Sequence, residues 1–153
     1  VLAGGGVAHN PEGESMFGEL KEAAARDSDV HVLQLPPEAD LEINALQRAA
    51  TVVVHKPLKE GFGITVSEAM WKGKPVVASE AGGISAQVIE GVTGFLVRSE
   101  EGAAFRIRHL LNNPGLMQRM GGAGREHARR NFMITRHLTD YLTLLNLYTG
   151  NPA

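Results

Sequence analysis

The amino-acid sequence predicts an α/β fold: a parallel sheet with flanking helices and a helical C-terminal tail. Short β-branched runs alternate with longer amphipathic stretches, the order in which parallel strands and crossover helices follow one another. Each run is almost continuously apolar, as a strand buried on both faces should be. Beyond residue 103 the helical period continues alone.

In chain order, strands are expected over residues 1–4, 30–35, 51–55, 75–79 and 94–97. Helices are expected over 15–26, 39–49, 64–72 and 85–90, with the tail from Ala103 onward. This alternation is Rossmann-like. Within the tail, Asn112-Asn113-Pro114 and Gly121-Gly122 are read as interruptions, because proline and paired glycine end or break helices. The last stretch, 134–148, carries Leu138, Tyr141, Leu142, Leu145 and Tyr148 at helical spacing. That stripe is expected to pack into a core, the alternative being that it docks on another domain.

The 153 residues suit one domain, with 43% hydrophobic and 21% charged residues. A net charge of -2 gives no broad attraction to nucleic acid or anionic lipid, and no apolar stretch is long enough for a membrane span. Without cysteine there is neither a disulfide framework nor thiol catalysis. A reducing cytoplasm is therefore permitted, and it is the expected compartment. The opening Val1-Leu2-Ala3-Gly4 lies inside a strand and has no leader pattern, which suggests a piece of something longer.

The chemistry concentrates in Lys59-Glu60-Gly61-Phe62-Gly63-Ile64-Thr65-Val66-Ser67-Glu68-Ala69, which follows the third strand and opens a helix. Ligands of open parallel sheets bind beyond the carboxyl ends of the strands, and a helix starting there presents unpaired N–H groups to an anion. Gly61 and Gly63 would let a ligand approach the main chain. Glu68, one turn into the helix, would lean back toward the niche and accept from a pair of sugar hydroxyls. Glu60 could serve a second polyol. Two acceptors flanking an anion niche describe a nucleotide-sugar; the plain alternative is a solvated glutamate on a short helix.

These residues, with Gly73-Lys74-Pro75-Val76-Val77-Ala78, Gly82-Gly83-Ile84 and Gly91-Val92-Thr93-Gly94-Phe95, resemble the GT-B family of retaining glycosyltransferases over most of the chain. Upstream, His31-Val32-Leu33-Gln34-Leu35-Pro36-Pro37, residues 43–50 and Leu58-Lys59 are similar to its trehalose synthase branch. The resemblance implies a C-terminal, donor-binding domain covering residues 1–153. Glu60 would be the catalytic-site carboxylate on the donor hexose, and Glu68 would hold the nucleotide ribose. Main-chain groups of Gly61, Phe62 and Gly63 would meet the sugar, and those of Ile64 and Thr65 the diphosphate. Leu35 and Pro36 would meet the base. The donor implied is UDP-glucose or ADP-glucose, with no metal and no other cofactor. The acceptor would be bound through an absent N-terminal domain, and a homodimer is left open.

The relatives carry an arginine and a lysine for the leaving diphosphate just after the first strand of this domain, and residues 1–4 look like its second strand. One more strand and helix are therefore expected upstream. Lys56 and Lys59 lie close enough to suggest substitutes, although lysines beside a loop are usually only solvated. His9, Asn10, Glu12 and Glu14 fit no metal-ligand spacing and read as a glycine-rich loop. His127, His137 and residues 125–130 read as an exposed basic face, and Trp71 as core. Two other readings stay open: a trehalose phosphorylase of the same fold, in which free phosphate replaces the nucleotide, and a non-catalytic nucleotide-binding module.

Overall fold

A computed structural model of the chain describes residues 1–4 and 11–150. Its residues group into two units, Val1–Leu46 and Gln47–Ala153.

In the first unit β1 (Leu2–Gly4) and β2 (Val32–Gln34) run parallel, with Leu2 opposite Val32 and Gly4 opposite Gln34. A parallel pair needs a long crossover, and α1 (Pro11–Ala24) supplies it, lying against β2. The helix begins earlier than expected because Pro11 occupies its first turn, where a missing N–H costs nothing. Glu14 is therefore helical rather than part of a loop; His9 and Asn10 lie outside the described residues. The helix α2 (Asp40–Ala49) begins in this unit, with Asp40 and Glu42 in its first turn matching the dipole.

The second unit holds β3 (Val53–His55), β4 (Val76–Ser79) and β5 (Gly94–Val97) in a parallel sheet with β4 in the centre. The crossover after β3 is α3 (Ile64–Trp71), and that after β4 contains the single turn α4 (Ile84–Gln87). The tail comprises α5 (Glu100–Leu111), α6 (Pro114–Asn131) and α7 (Ile134–Thr149). Ser99 caps α5 by accepting the N–H of Gly102 at 3.0 Å.

Strand side chains alternate across a sheet, and on β4 that alternation separates two cores. Val76 and Ala78 join Val53, Val66, Met70, Ile84 and Ala128 on one side. Val77 joins Phe95, Val97, Ala103, Leu110 and Met120 on the other.

Several expectations are corrected. The five strands form two ladders, and only β4 is buried throughout; β1 is exposed along its length, and Val54 of β3 is exposed. Among the described residues β1 and β2 pair only with each other, so nothing in their own ladder covers them. The expected break at Gly121-Gly122 is absent, because α6 runs straight through. Glycine serves close approach there: a Cβ on Gly121 would lie 2.0 Å from the carbonyl oxygen of Gly73. The fourth helix stops at Gln87 because Val88 is already extended. The stripe on α7 is no core, since none of the helix's residues is buried and Tyr148 is 91% exposed. Trp71 is 39% exposed, with the Arg125 guanidinium over its ring. On α6 the arginines are exposed as expected, but the Nε2 of His127 is buried, with no hydrogen-bond partner among the described residues.

Candidate functional site

β3 delivers His55 to its carboxyl end, and the eight residues from Lys56 to Gly63 then form a loop that leads into α3. The loop is fixed from several directions. Ser79, at the end of β4, donates its hydroxyl to the Pro57 carbonyl at 2.7 Å. The Gly82-Gly83 turn lies against Glu60 and Gly61, and the Gly83 N–H donates to the Gly61 carbonyl at 2.8 Å. A Cβ on Gly82 would sit 1.8 Å from the Glu60 carbonyl oxygen, and one on Gly83 2.6 Å from that of Gly61. The Gln87 amide, fully buried, donates to the Phe62 carbonyl and, at 3.4 Å, to that of Gly63. Gly63 caps α3 with φ +84°, a left-handed backbone that glycine adopts without steric cost.

Within that frame the Glu60 carboxylate has two partners. Oε2 meets Nε2 of His55 at 3.1 Å, and Oε1 accepts the N–H of Gly61 at 2.9 Å. The His55 hydrogen bond, reinforced by that N–H, outweighs desolvation and holds the carboxyl below the usual glutamate range. Glu60 is thus kept as an anion. Gly61 has open space where its side chain would be, so a ligand can approach the main chain there. Phe62 is exposed and meets Phe132 edge to face at 5.9 Å between ring centres.

On α3, Ile64 is exposed at the first position and Thr65 half-buried at the second. The first N–H groups of any α-helix lack intrahelical partners, so this end offers donors to an anion. Glu68 is half-buried, and its Oε2 accepts from Nε2 of Gln47 at 3.0 Å; Gln47 Oε1 accepts in turn from Nζ of Lys72. Lys59 is exposed, whereas Lys56 is half-buried and close enough to Glu101 to lower its pKa as a minor contribution. Leu35 and Pro36 belong to the first unit, where the Leu35 N–H continues the ladder to the Gly4 carbonyl at 2.8 Å.

Two cavities lie elsewhere on the second unit. One of about 610 Å³ is lined by the ion pairs Glu80–Arg98 and Glu90–Arg106. The other, about 330 Å³, lies between Phe62 and the α6–α7 junction. Glu60 and Glu68 line neither. No group of three or more candidate metal ligands occurs among the described residues, and no described helix is long and apolar enough to cross a membrane.

His55, Gln47, Lys72 and Gln87 were not singled out by the sequence. A signal for two of them was present. His55 closes a parallel strand, where ligands of such sheets bind, and Gln47 interrupts the apolar face that Ile43 and Leu46 begin on α2.

Parallel strands joined by crossover helices, with a glycine-lined loop leading from a strand end into a helix, are the architecture of a GT-B glycosyltransferase domain. The chain belongs to the family "Glycosyl transferases group 1", whose pattern matches residues 1–127. It is 43% identical to the trehalose synthase of Pyrococcus horikoshii over 98% of its own length and 37% of that enzyme's. It therefore spans little more than a third of that relative. Among solved structures it is similar to Anabaena HepE in complex with UDP-glucose, with 28% identity and a TM-score of 0.76 over 95% of this chain and 40% of that one. The sucrose-phosphate synthase of Thermosynechococcus elongatus is similar at 29% identity and a TM-score of 0.76, over 98% and 38%.

Proposed function

We propose that this domain binds a nucleoside diphosphate glucose and forms the donor half of a retaining glucosyltransferase. Its acceptor is then glucose and its product trehalose. The observation that carries the reading is the pairing of Glu60, in the loop that enters α3, with His55, and of Glu68, one turn into that helix, with Gln47, beside the unobstructed Gly61. Glu60 accepts from the donor hexose, and Glu68 from the ribose diol. N–H groups at Ile64 and Thr65 receive the diphosphate, whose charge grows as its bond to the anomeric carbon breaks and the bond to the acceptor oxygen forms. The trehalose synthase relatives and the UDP-glucose complex of a structural neighbour support the choice of donor class. The acceptor domain belongs to this proposal as a further part of a longer protein, in keeping with the share of the trehalose synthase relative that the chain spans.

Calorimetric titration of the 153-residue chain with UDP, ADP, UDP-glucose and inorganic phosphate tests it. A nucleoside diphosphate is expected to bind, and Glu68→Ala to weaken it by about tenfold or more, the loss of charge-assisted hydrogen bonds. Saturation by phosphate with no response to nucleotide would assign the site to phosphorolysis instead. Glucosyl transfer by the chain unaided would overturn the proposed need for an acceptor domain.

A further inference from the structure

We infer that Gln47 and Lys72 are positioning residues that aim the Glu68 carboxylate at the two hydroxyls of the ribose. The inference rests on the donor reading above and adds two residues to it.

Gln47 comes from α2 and is only 6% exposed, so its amide must find partners inside the protein. It finds one at each end: Nε2 gives to Glu68, and Oε1 takes from Lys72. An ammonium only donates and a carboxylate only accepts, so one orientation of the amide satisfies both. The charged donor polarises the amide and strengthens its N–H toward Glu68.

Glu68 and Lys72 are also four residues apart on α3, glutamate first, the favoured spacing for a direct helical ion pair. Among the described residues they form none. The amide stands between them instead. A lysine directly on the carboxylate would occupy the lone pairs that a diol needs. Through the amide, the charge of Lys72 is relayed while only Oε2 is engaged. Oε1 makes no hydrogen bond among the described residues.

If the relay serves only packing, its loss lowers affinity for every nucleotide alike. If it aims Glu68, its loss removes the preference for a ribose that has hydroxyls. The experiment compares UDP with 2′,3′-dideoxy-UDP by calorimetry on the full chain. The wild-type chain is expected to prefer UDP by about tenfold or more. Gln47→Leu is expected to shrink that ratio to about threefold or less, with dideoxy-UDP affinity changed by less than about twofold. Lys72→Met, at a half-buried site, is expected to shift the ratio in the same direction and decides the matter should Gln47→Leu not fold. Variants that keep the full preference overturn the inference and leave the donor reading intact. A wild-type chain that binds both nucleotides equally overturns the inference and the ribose role of Glu68. A wild-type chain that binds neither of these, nor ADP, overturns the donor reading itself.

Discussion

The His55–Glu60 pair joins the last residue of a strand to the carboxylate that the sequence places in the loop before α3. Because the His55 hydrogen bond is the largest influence on that carboxyl, His55→Ala should raise its pKa toward the ordinary glutamate value, read by carbon-13 carboxylate titration. A carboxyl lowered in the folded chain stabilises it above the ordinary glutamate range, and the stabilisation fades as the pH falls through the folded value. The same sign holds for Glu126, which hydrogen bonds to Arg129 and then Arg130 bring down to about 2. Its titration should move upward in Arg129→Gln, with little change in stability, since an exposed pair is screened by solvent and salt. The two site glutamates were legible in the sequence through their setting between glycines and an incipient helix. The pairing of Glu68 with Gln47 was not, because the two lie 21 positions apart and no local spacing links them.

At the scale of elements, helical period and strand composition located the five strands, the first four helices and the last one to within a few residues, but not the bounds of α5 and α6 within the tail. What they missed was the meaning of two glycines. Gly121 and Gly122 are adjacent on α6, yet a side chain would be obstructed at only one of them: a Cβ on Gly121 would run into the Gly73 carbonyl, and one on Gly122 would have open space. Gly121→Ala should therefore cost about 1–3 kcal/mol by forcing α6 away from the α3–β4 turn. Gly122→Ala, in an exposed helix interior, should instead stabilise by about 0.5–1 kcal/mol. Urea unfolding midpoints of the two variants would move in opposite directions. A sequence read alone sees a pair of helix breakers, because propensity is local and close approach is not.

The largest difference between the expected and the observed molecule is where apolar surface ends up. The amphipathic stripe of α7 was legible, but whether it faces a core or solvent is decided by what packs against it, which no period encodes. Burial is also uneven between the two units. Among the described residues of Val1–Leu46 only Ala39 is buried, whereas Gln47–Ala153 contains both apolar clusters. Amide hydrogen exchange should accordingly be slowest at Val76–Ser79 and should remove the protons of β1 and β2 first; equal protection of the two ladders would refute this. The shared position of β4 has one more consequence. A strand whose odd and even residues serve different cores works as a party wall, so inserting a single residue into it would send Val76 and Val77 to each other's rooms. The helices α3 and α5 would be unseated together, although they stand on opposite sides of that wall.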